Sequence, residues 1–304
     1  MIQQSQSYGF TFNDITVDGD VVIKTYKNEK GRNKINKEAA FYQYIQENNI
    51  PFTMPNVINH SDGILKIKYI QNTKTLLEYI NEDNLDTTIK NVMFSLKKMH
   101  KYTHEINKET FLSDINQELG SKVLGRYNET EWNTIPSYNK IISVNGVKIN
   151  KNIHYYLDKI KDEITDIIKE EYVTPVYSVV HGDTHLNNIL IDNSEKVYFI
   201  DPRGYFGNTN IYGLKEYDYA KFLFGLSGYS YFDMYDINEL EIVDGDLNVG
   251  FIDTFIGVYQ KSIFNRLTIL LSLSIWLGNN GTFENKNKSV ASLMIAFYMC
   301  EMIL

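Results

Sequence analysis

The stretch from residue 176 to 204, VYSVVHGDTHLNNILIDNSEKVYFIDPRG, constrains the fold more than any other part of the chain. Three short apolar runs, 176–180, 189–191 and 197–200, read as strands, with polar residues in the gaps between them. Asp183 follows the first run, Asn188 comes five residues later at the mouth of the second, and Asp201 is the first residue after the third. A hairpin turned at Asp192-Asn193-Ser194 is expected to bring the ends of these strands together, so that two carboxylates and an amide converge on one small volume. Such hard oxygen donors suit Mg²⁺, which prefers carboxylate, carbonyl and water ligands and is commonly completed by substrate phosphates.

The spacing says more than the composition of this cluster. Protein kinases place a catalytic Asp five residues before a metal-binding Asn, and a second metal-binding Asp after a hairpin. Here His181-Gly182-Asp183 stands where those enzymes carry His-Arg-Asp, and Asp201-Pro202-Arg203-Gly204 stands where they carry Asp-Phe-Gly. With Gly at the second position and Asn188 at the fifth after Asp183, the chain resembles the aminoglycoside phosphotransferase and choline kinase family. The resemblance implies an α+β, two-lobed, protein-kinase-like fold. Residues 1–71 would form the N-terminal nucleotide-binding lobe, a small β-sheet plus a helix, and residues 72–304 a larger, mostly helical lobe for catalysis and acceptor binding. It also implies ATP or another nucleoside triphosphate with Mg²⁺, and a small-molecule acceptor bearing a hydroxyl: a sugar or surface-glycan precursor, an amino alcohol such as choline, or an aminoglycoside.

Composition bounds the remaining classes. At 304 residues and 43% hydrophobic content the chain can bury a large core. Its formal net charge of −8 argues against nucleic acid, whose phosphates need clustered Lys and Arg. Cys300 is the single cysteine, so no internal disulfide or thiolate metal site is expected and a reducing compartment is natural. The N-terminus MIQQSQSYGF lacks the basic flank and apolar run of a signal peptide, and the longest apolar run, 267–277, is too short for a bilayer. A cytoplasmic protein without a membrane segment is expected; oligomeric state leaves no mark in the sequence.

From the start of the chain, runs 10–17 and 21–26 flank Asp18-Gly19-Asp20 as a hairpin. Residues 33–46 are helical in pattern, with Ile35, Ala39, Tyr42 and Ile45 on one face, and Glu38 falls on that same apolar face. A carboxylate pointing inward needs a partner, and Lys24 in the second strand is the candidate. The pairing of a strand lysine with a helix glutamate orients nucleotide phosphates in kinases, and the resemblance carries those roles to Lys24 and Glu38. A solvated Glu38 paired with Lys34 or Arg32 is the plainer reading. No GxGxxG precedes Lys24; either residues 5–11 serve as a polar phosphate loop in its place or the lid is rudimentary. Runs 56–60 and 64–70, around Asp62-Gly63, would complete a sheet of about five strands, and residues 68–72 would lead into the second lobe.

Helical patterns follow at 76–80, 88–102 and 109–127, the last broken by Gly120 and Gly125, with His100 a packed helix-end histidine. Runs 141–144 and 147–149 around Asn145-Gly146 read as a hairpin, more simply a surface hairpin than a flap over the acceptor. A long helix starts at 153, and strongly apolar helices at 263–277 and 290–304 would form the core of the large lobe. Between Lys221 and Lys261 no basic residue occurs, while seven acids accumulate beside Tyr229, Tyr231, Phe232 and Tyr235; this segment is either a solvated loop or an acidic, aromatic mouth for an amine or sugar.

In the central motif, Asp183 is the candidate general base or hydroxyl-orienting group, and Asn188 and Asp201 the candidate metal ligands. By resemblance His181 supports the loop backbone and Asp218 braces it, while His185 reads as loop support. Arg203 balances the metal-site carboxylates or contacts the transferred phosphate or an anionic acceptor; the plainer reading is an ion pair with Glu216 or Asp218. Two other classes compete. His181, Asp183 and His185 could open a metal-dependent hydrolase site, but no histidine follows His185 to complete it. A catalytically silent nucleotide-binding module would have little reason to keep Lys24, Glu38, Asp183, Asn188 and Asp201 together.

Overall fold

The computed structural model describes residues 3–4, 12–281 and 283–304. The chain forms two compact units. One comprises residues 6–106 and 176–222; the other comprises 1–5, 107–175 and 223–304.

In the first unit, alternation of apolar and polar residues and the Asp18-Gly19-Asp20 turn produce the hairpin Asn13–Asp18 and Val21–Tyr26. Ile64–Lys68 and Val57–Ser61 extend it to four antiparallel strands, one fewer than expected among the described residues. The helix Glu29–Glu47 starts at Asn28, whose side chain accepts from the Gly31 N–H. It lays Ile35, Ala39, Phe41, Tyr42 and Ile45 inward, and Glu38 with them. Residues 5–11, the expected phosphate loop, lie outside the described residues.

The central stretch departs from expectation in one respect. Ile189–Asp192 and Val197–Phe199 form the expected hairpin, tied by Asp192 Oδ1, which accepts from the N–H groups of Ser194 (2.8 Å) and Lys196 (3.1 Å). The first run, Val176–Val179, belongs to a different sheet, between Thr103–Glu105 and Tyr212–Gly213. The hairpin instead takes Thr73–Thr75 as its third strand. The loop 180–188, which holds Asp183 and Asn188, runs from the first of these sheets into the second. An apolar run specifies a strand and leaves its neighbour unspecified, because ladder partners are chosen by packing across the sheet.

In the second unit the segment 108–128 runs on without a break: a π turn, Gln117–Ser121, joins Lys108–Asn116 to Lys122–Asn128, so the glycines do not interrupt the helix. The hairpin Ser143–Val144 and Val147–Lys148 is not isolated; Ser143–Val144 pairs in parallel with Asp246–Leu247 to make a four-stranded sheet with Ile242–Val243. Helices Arg266–Leu277 and Lys286–Ile303 are buried on nearly all sides, and Trp276 is core packing. Among the described residues no helix is long and apolar enough to cross a membrane.

Candidate active site

All nine residues singled out from the sequence fall in the first unit. Lys24 lies mid-strand opposite Leu65 and is 6% exposed; Glu38, on the inner face of the helix, is 4% exposed. The Lys24 ammonium donates to both Glu38 oxygens, at 2.8 and 3.0 Å, and also to Asp201 Oδ1. Burial alone would lower the Lys24 ammonium, yet the carboxylates of Asp201 and Glu38 prevail and hold it above its ordinary value. Burial pushes the Glu38 carboxyl up, and Lys24 only partly offsets this.

Asp201 has a left-handed backbone, φ +59°, and its N–H donates to the Tyr42 hydroxyl at 3.2 Å. Asp tolerates this region better than most residues, and the conformation turns the carboxylate out of the strand toward Lys24. Desolvation works against ionisation of Asp201, but Lys24 outweighs it and keeps the carboxyl below its usual value. About half of its side chain stays exposed.

The loop bearing Asp183 hangs on Asp218, a fully buried carboxylate on the helix Lys215–Phe224. Its Oδ1 accepts from the Gly182 N–H at 2.6 Å; its Oδ2 accepts from the His181 N–H at 3.0 Å and contacts His100 Nε2 at 2.9 Å. A buried carboxylate is tolerated because these donors replace its water. His181 spans the loop, with Nε2 donating to the Ile200 carbonyl at 3.0 Å and Nδ1 accepting from the Asp183 N–H at 3.2 Å. Burial keeps the ring below its ordinary value, hence neutral near neutral pH. Gly182 is required twice over: its φ is +81°, and a Cβ would sit 3.1 Å from Arg203 Cβ and 3.2 Å from the Tyr205 carbonyl oxygen. A side chain at that position would press on Arg203, which occupies the adjoining space. Its guanidinium stacks 3.7 Å over the Tyr205 ring and donates to the Tyr217 hydroxyl at 2.9 Å.

Asp183 itself is held on both oxygens. Lys221 Nζ lies 3.0 Å from Oδ1, Asn188 Nδ2 lies 3.4 Å from Oδ2, and His185 Nε2 faces Oδ2 at 3.8 Å. Desolvation alone would raise the carboxyl; Lys221 first and His185 second reverse this and hold it well below the usual carboxylate range. Asn188 closes a single 3-10 turn, Leu186–Asn188, and donates to the Asp183 carbonyl at 3.0 Å, so its amide oxygen is the atom that could hold a metal. Its own carbonyl accepts from the Ile200 N–H at 3.0 Å, which ties this turn to the strand end that leads into Asp201. Among the described residues no three His, Cys, Asp or Glu side chains close on one metal position. One carboxylate and one amide oxygen fit a magnesium ion that takes its remaining ligands from phosphates and water, as that ion commonly does.

Lys221 and Tyr42 were not among the residues the sequence pointed to. For Lys221 a signal existed: it stands three residues after Asp218, hence on the same helix face. Tyr42 read as an ordinary apolar-face residue, and nothing local marks its hydroxyl as a partner of a residue 159 positions away.

The profile of the family described as fructosamine kinase matches residues 4–238. No curated protein sequence matches the chain. Among solved structures, it is similar to APH(2")-IIa in a ternary complex with streptomycin and ATP, at 16% identity and TM-score 0.53, covering 100% of this chain and 93% of that one. It is similar to a choline/ethanolamine kinase family protein from Mesorhizobium loti at 10% identity and TM-score 0.55, covering 100% and 87%. A putative fructosamine-3-kinase from Haemophilus somnus 129PT matches at 13% identity and TM-score 0.51, covering 100% and 91%. At such identities these structures speak for the fold alone, and the fold is the α+β, protein-kinase-like one.

Proposed function

Because the chain belongs to the fructosamine kinase family, we propose that it is an ATP- and magnesium-dependent phosphotransferase in which Asp183 receives the proton of the acceptor hydroxyl. As a member of that family it is a small-molecule kinase, with a hydroxyl as acceptor. Supporting the choice of ATP, the similar APH(2")-IIa structure is a ternary complex with that nucleotide. In this reading residues 1–71 are the nucleotide-binding lobe and 72–304 the catalytic and acceptor-binding lobe. The acceptor is a sugar or surface-glycan precursor, an amino alcohol such as choline, or an aminoglycoside.

One observation carries the proposal: the Lys24 ammonium bridges Glu38 and Asp201, while Asp183, oriented by Lys221 and Asn188, belongs to the same compact unit. Lys24, its charge secured by two carboxylates, is suited to a nucleotide's phosphates, and Glu38 fixes its direction. Asn188 and Asp201 would hold magnesium, which neutralises charge on the phosphates when bound. Lys221 holds Asp183 Oδ1 at 3.0 Å, while the contacts of Asn188 and His185 with Oδ2 are longer, 3.4 and 3.8 Å, so Oδ2 is the oxygen better placed to accept from the acceptor hydroxyl. The hydroxyl oxygen then bonds to the γ-phosphorus, the bond from that phosphorus to the bridging oxygen breaks, the hydroxyl proton passes to Asp183, and the nucleoside diphosphate leaves. Because the transition state is loose, positioning supplies most of the acceleration.

The test is a panel of hydroxyl acceptors with ATP and Mg²⁺, read as nucleoside diphosphate release. Asp183→Asn is expected to lower turnover by roughly 10²- to 10⁴-fold with nucleotide binding retained. Nucleotide binding without transfer to any acceptor would point to a silent binding module, and metal-dependent ester hydrolysis without nucleotide to a hydrolase.

A further inference from the structure

The backbone on either side of Asp201 is held by hydrogen bonds. The Ile200 N–H donates to the Asn188 carbonyl at 3.0 Å, and the Gly204 N–H donates to the His181 carbonyl at 3.0 Å. Pro202, between them, has no N–H to offer. Asp201 stands inside this span at φ +59°, a left-handed conformation that persists in a residue other than glycine only where its surroundings enforce it.

Two hydrogen bonds of Asp201 are in a position to do so. In the first, the Lys24 ammonium donates to Asp201 Oδ1. On the kinase reading that contact cannot fix Asp201 throughout the reaction, because Lys24 then serves phosphates and the Asp201 carboxylate serves a metal. In the second, the Asp201 N–H donates to the Tyr42 hydroxyl at 3.2 Å. It uses neither charged group, so it is compatible with an occupied site.

The place of Tyr42 in the helix Glu29–Glu47 explains how it reaches both partners. It lies four residues after Glu38, on the same inward face, and is fully buried. Its hydroxyl also hydrogen-bonds the Glu38 carboxylate. A phenol is protonated at neutral pH, so the hydroxyl donates to Glu38 and accepts from Asp201. One oxygen thus joins the partner of Lys24 to the backbone of Asp201. Helix packing asks only for the ring, which phenylalanine would supply; the two hydrogen bonds ask for the hydroxyl.

We propose, resting on the kinase reading above, that Tyr42 is a positioning residue for the metal site: its hydroxyl fixes Asp201 in the left-handed conformation that turns the carboxylate toward Lys24, and couples that placement to the helix bearing Glu38.

The test compares the full-length wild type with Tyr42→Phe, which keeps the ring. Tyr44→Phe is the control, since it removes from the same helix a hydroxyl that bonds Tyr212 instead. Thermal melts establish that the variants fold. Binding of ADP is measured by calorimetry with and without Mg²⁺. In Tyr42→Phe the gain in ADP affinity on adding Mg²⁺ is expected to fall by about 5- to 30-fold, as for a partly buried donor left unpaired, while metal-free binding stays within about 2-fold. Tyr44→Phe keeps the wild-type gain. Hydrogen exchange of residues 199–204 in the ligand-free chain, read by mass spectrometry, is expected to be about 10-fold faster for one amide in Tyr42→Phe and unchanged in Tyr44→Phe. An unchanged Mg²⁺ gain overturns the proposal, as does an equal loss with and without Mg²⁺, which would mark a purely structural role. Unchanged exchange overturns it too. A wild type that binds no ADP, or binds it indifferently to Mg²⁺, counts against the kinase reading, and the exchange measurement, which needs no ligand, then decides whether Tyr42 holds Asp201.

Discussion

Lys24, Glu38 and Asp201 share one buried ammonium between two carboxylates, and the cost of disturbing them follows from burial. Glu38→Ala leaves Lys24 with Asp201 alone; removing one partner of a buried pair costs about 3–5 kcal/mol, and the surviving carboxylate favours the lower figure. A thermal melt is expected to register that loss, and the KM for nucleotide to rise with a smaller change in kcat. His181 supplies a pH dependence with a definite sign. Its ring is held below the ordinary histidine value by burial, so it contributes stability that is present above the unfolded value near 6.5 and lost as pH falls through the folded one. The melting temperature should therefore decline between pH 6.5 and 5 more steeply in wild type than in His181→Gln; equal slopes would remove His181 from the account. At this scale the sequence was legible wherever chemistry and spacing coincide, as in the five-residue step from Asp183 to Asn188. It was silent on Tyr42 and gave only a faint cue for Lys221, because each acts on a partner far along the chain that no local pattern announces.

Helix Glu29–Glu47 shows how an element transmits its placement to the site. Its first turn touches the neighbouring hairpin so closely that a Cβ on Gly31 would overlap the Phe12 carbonyl oxygen. Gly31→Ala must push the helix off the hairpin, at about 1–3 kcal/mol for an overpacked contact. Since the same helix carries Glu38, we expect a lowered melting temperature together with a raised KM for nucleotide; a change in stability alone would mean that the helix shifts without moving Glu38. Helix and hairpin positions were readable from periodicity and from the turn residues Asp18-Gly19, Asp62-Gly63 and Asp192-Asn193, because these signals are local. Strand partners were not. Val176–Val179 looked continuous with the hairpin that follows it and pairs elsewhere, and the hairpin at 143–148 looked isolated and joins Asp246–Leu247.

Across the whole chain, order along the sequence and order in space diverge. The first unit draws on residues 6–106 and 176–222, so both of its three-stranded sheets close only when the second segment returns. Residues 1–106 expressed alone are therefore expected to show no cooperative melt, and addition of residues 176–222 in trans to restore one. A sharp transition in the isolated fragment would contradict this. The sequence by itself determined the candidate site residues, their spacing, most of the helices and hairpins, and the resemblance to small-molecule kinases, since those depend on side-chain chemistry and on backbone preferences over a few residues. Tertiary structure alone decided which strands are neighbours, that Arg203 fills the space beside Gly182, and that Lys221 stands 3.0 Å from Asp183 Oδ1. Such contacts arise when distant segments exclude water from one another, and the free energy that selects them belongs to the packed arrangement rather than to any stretch of chain.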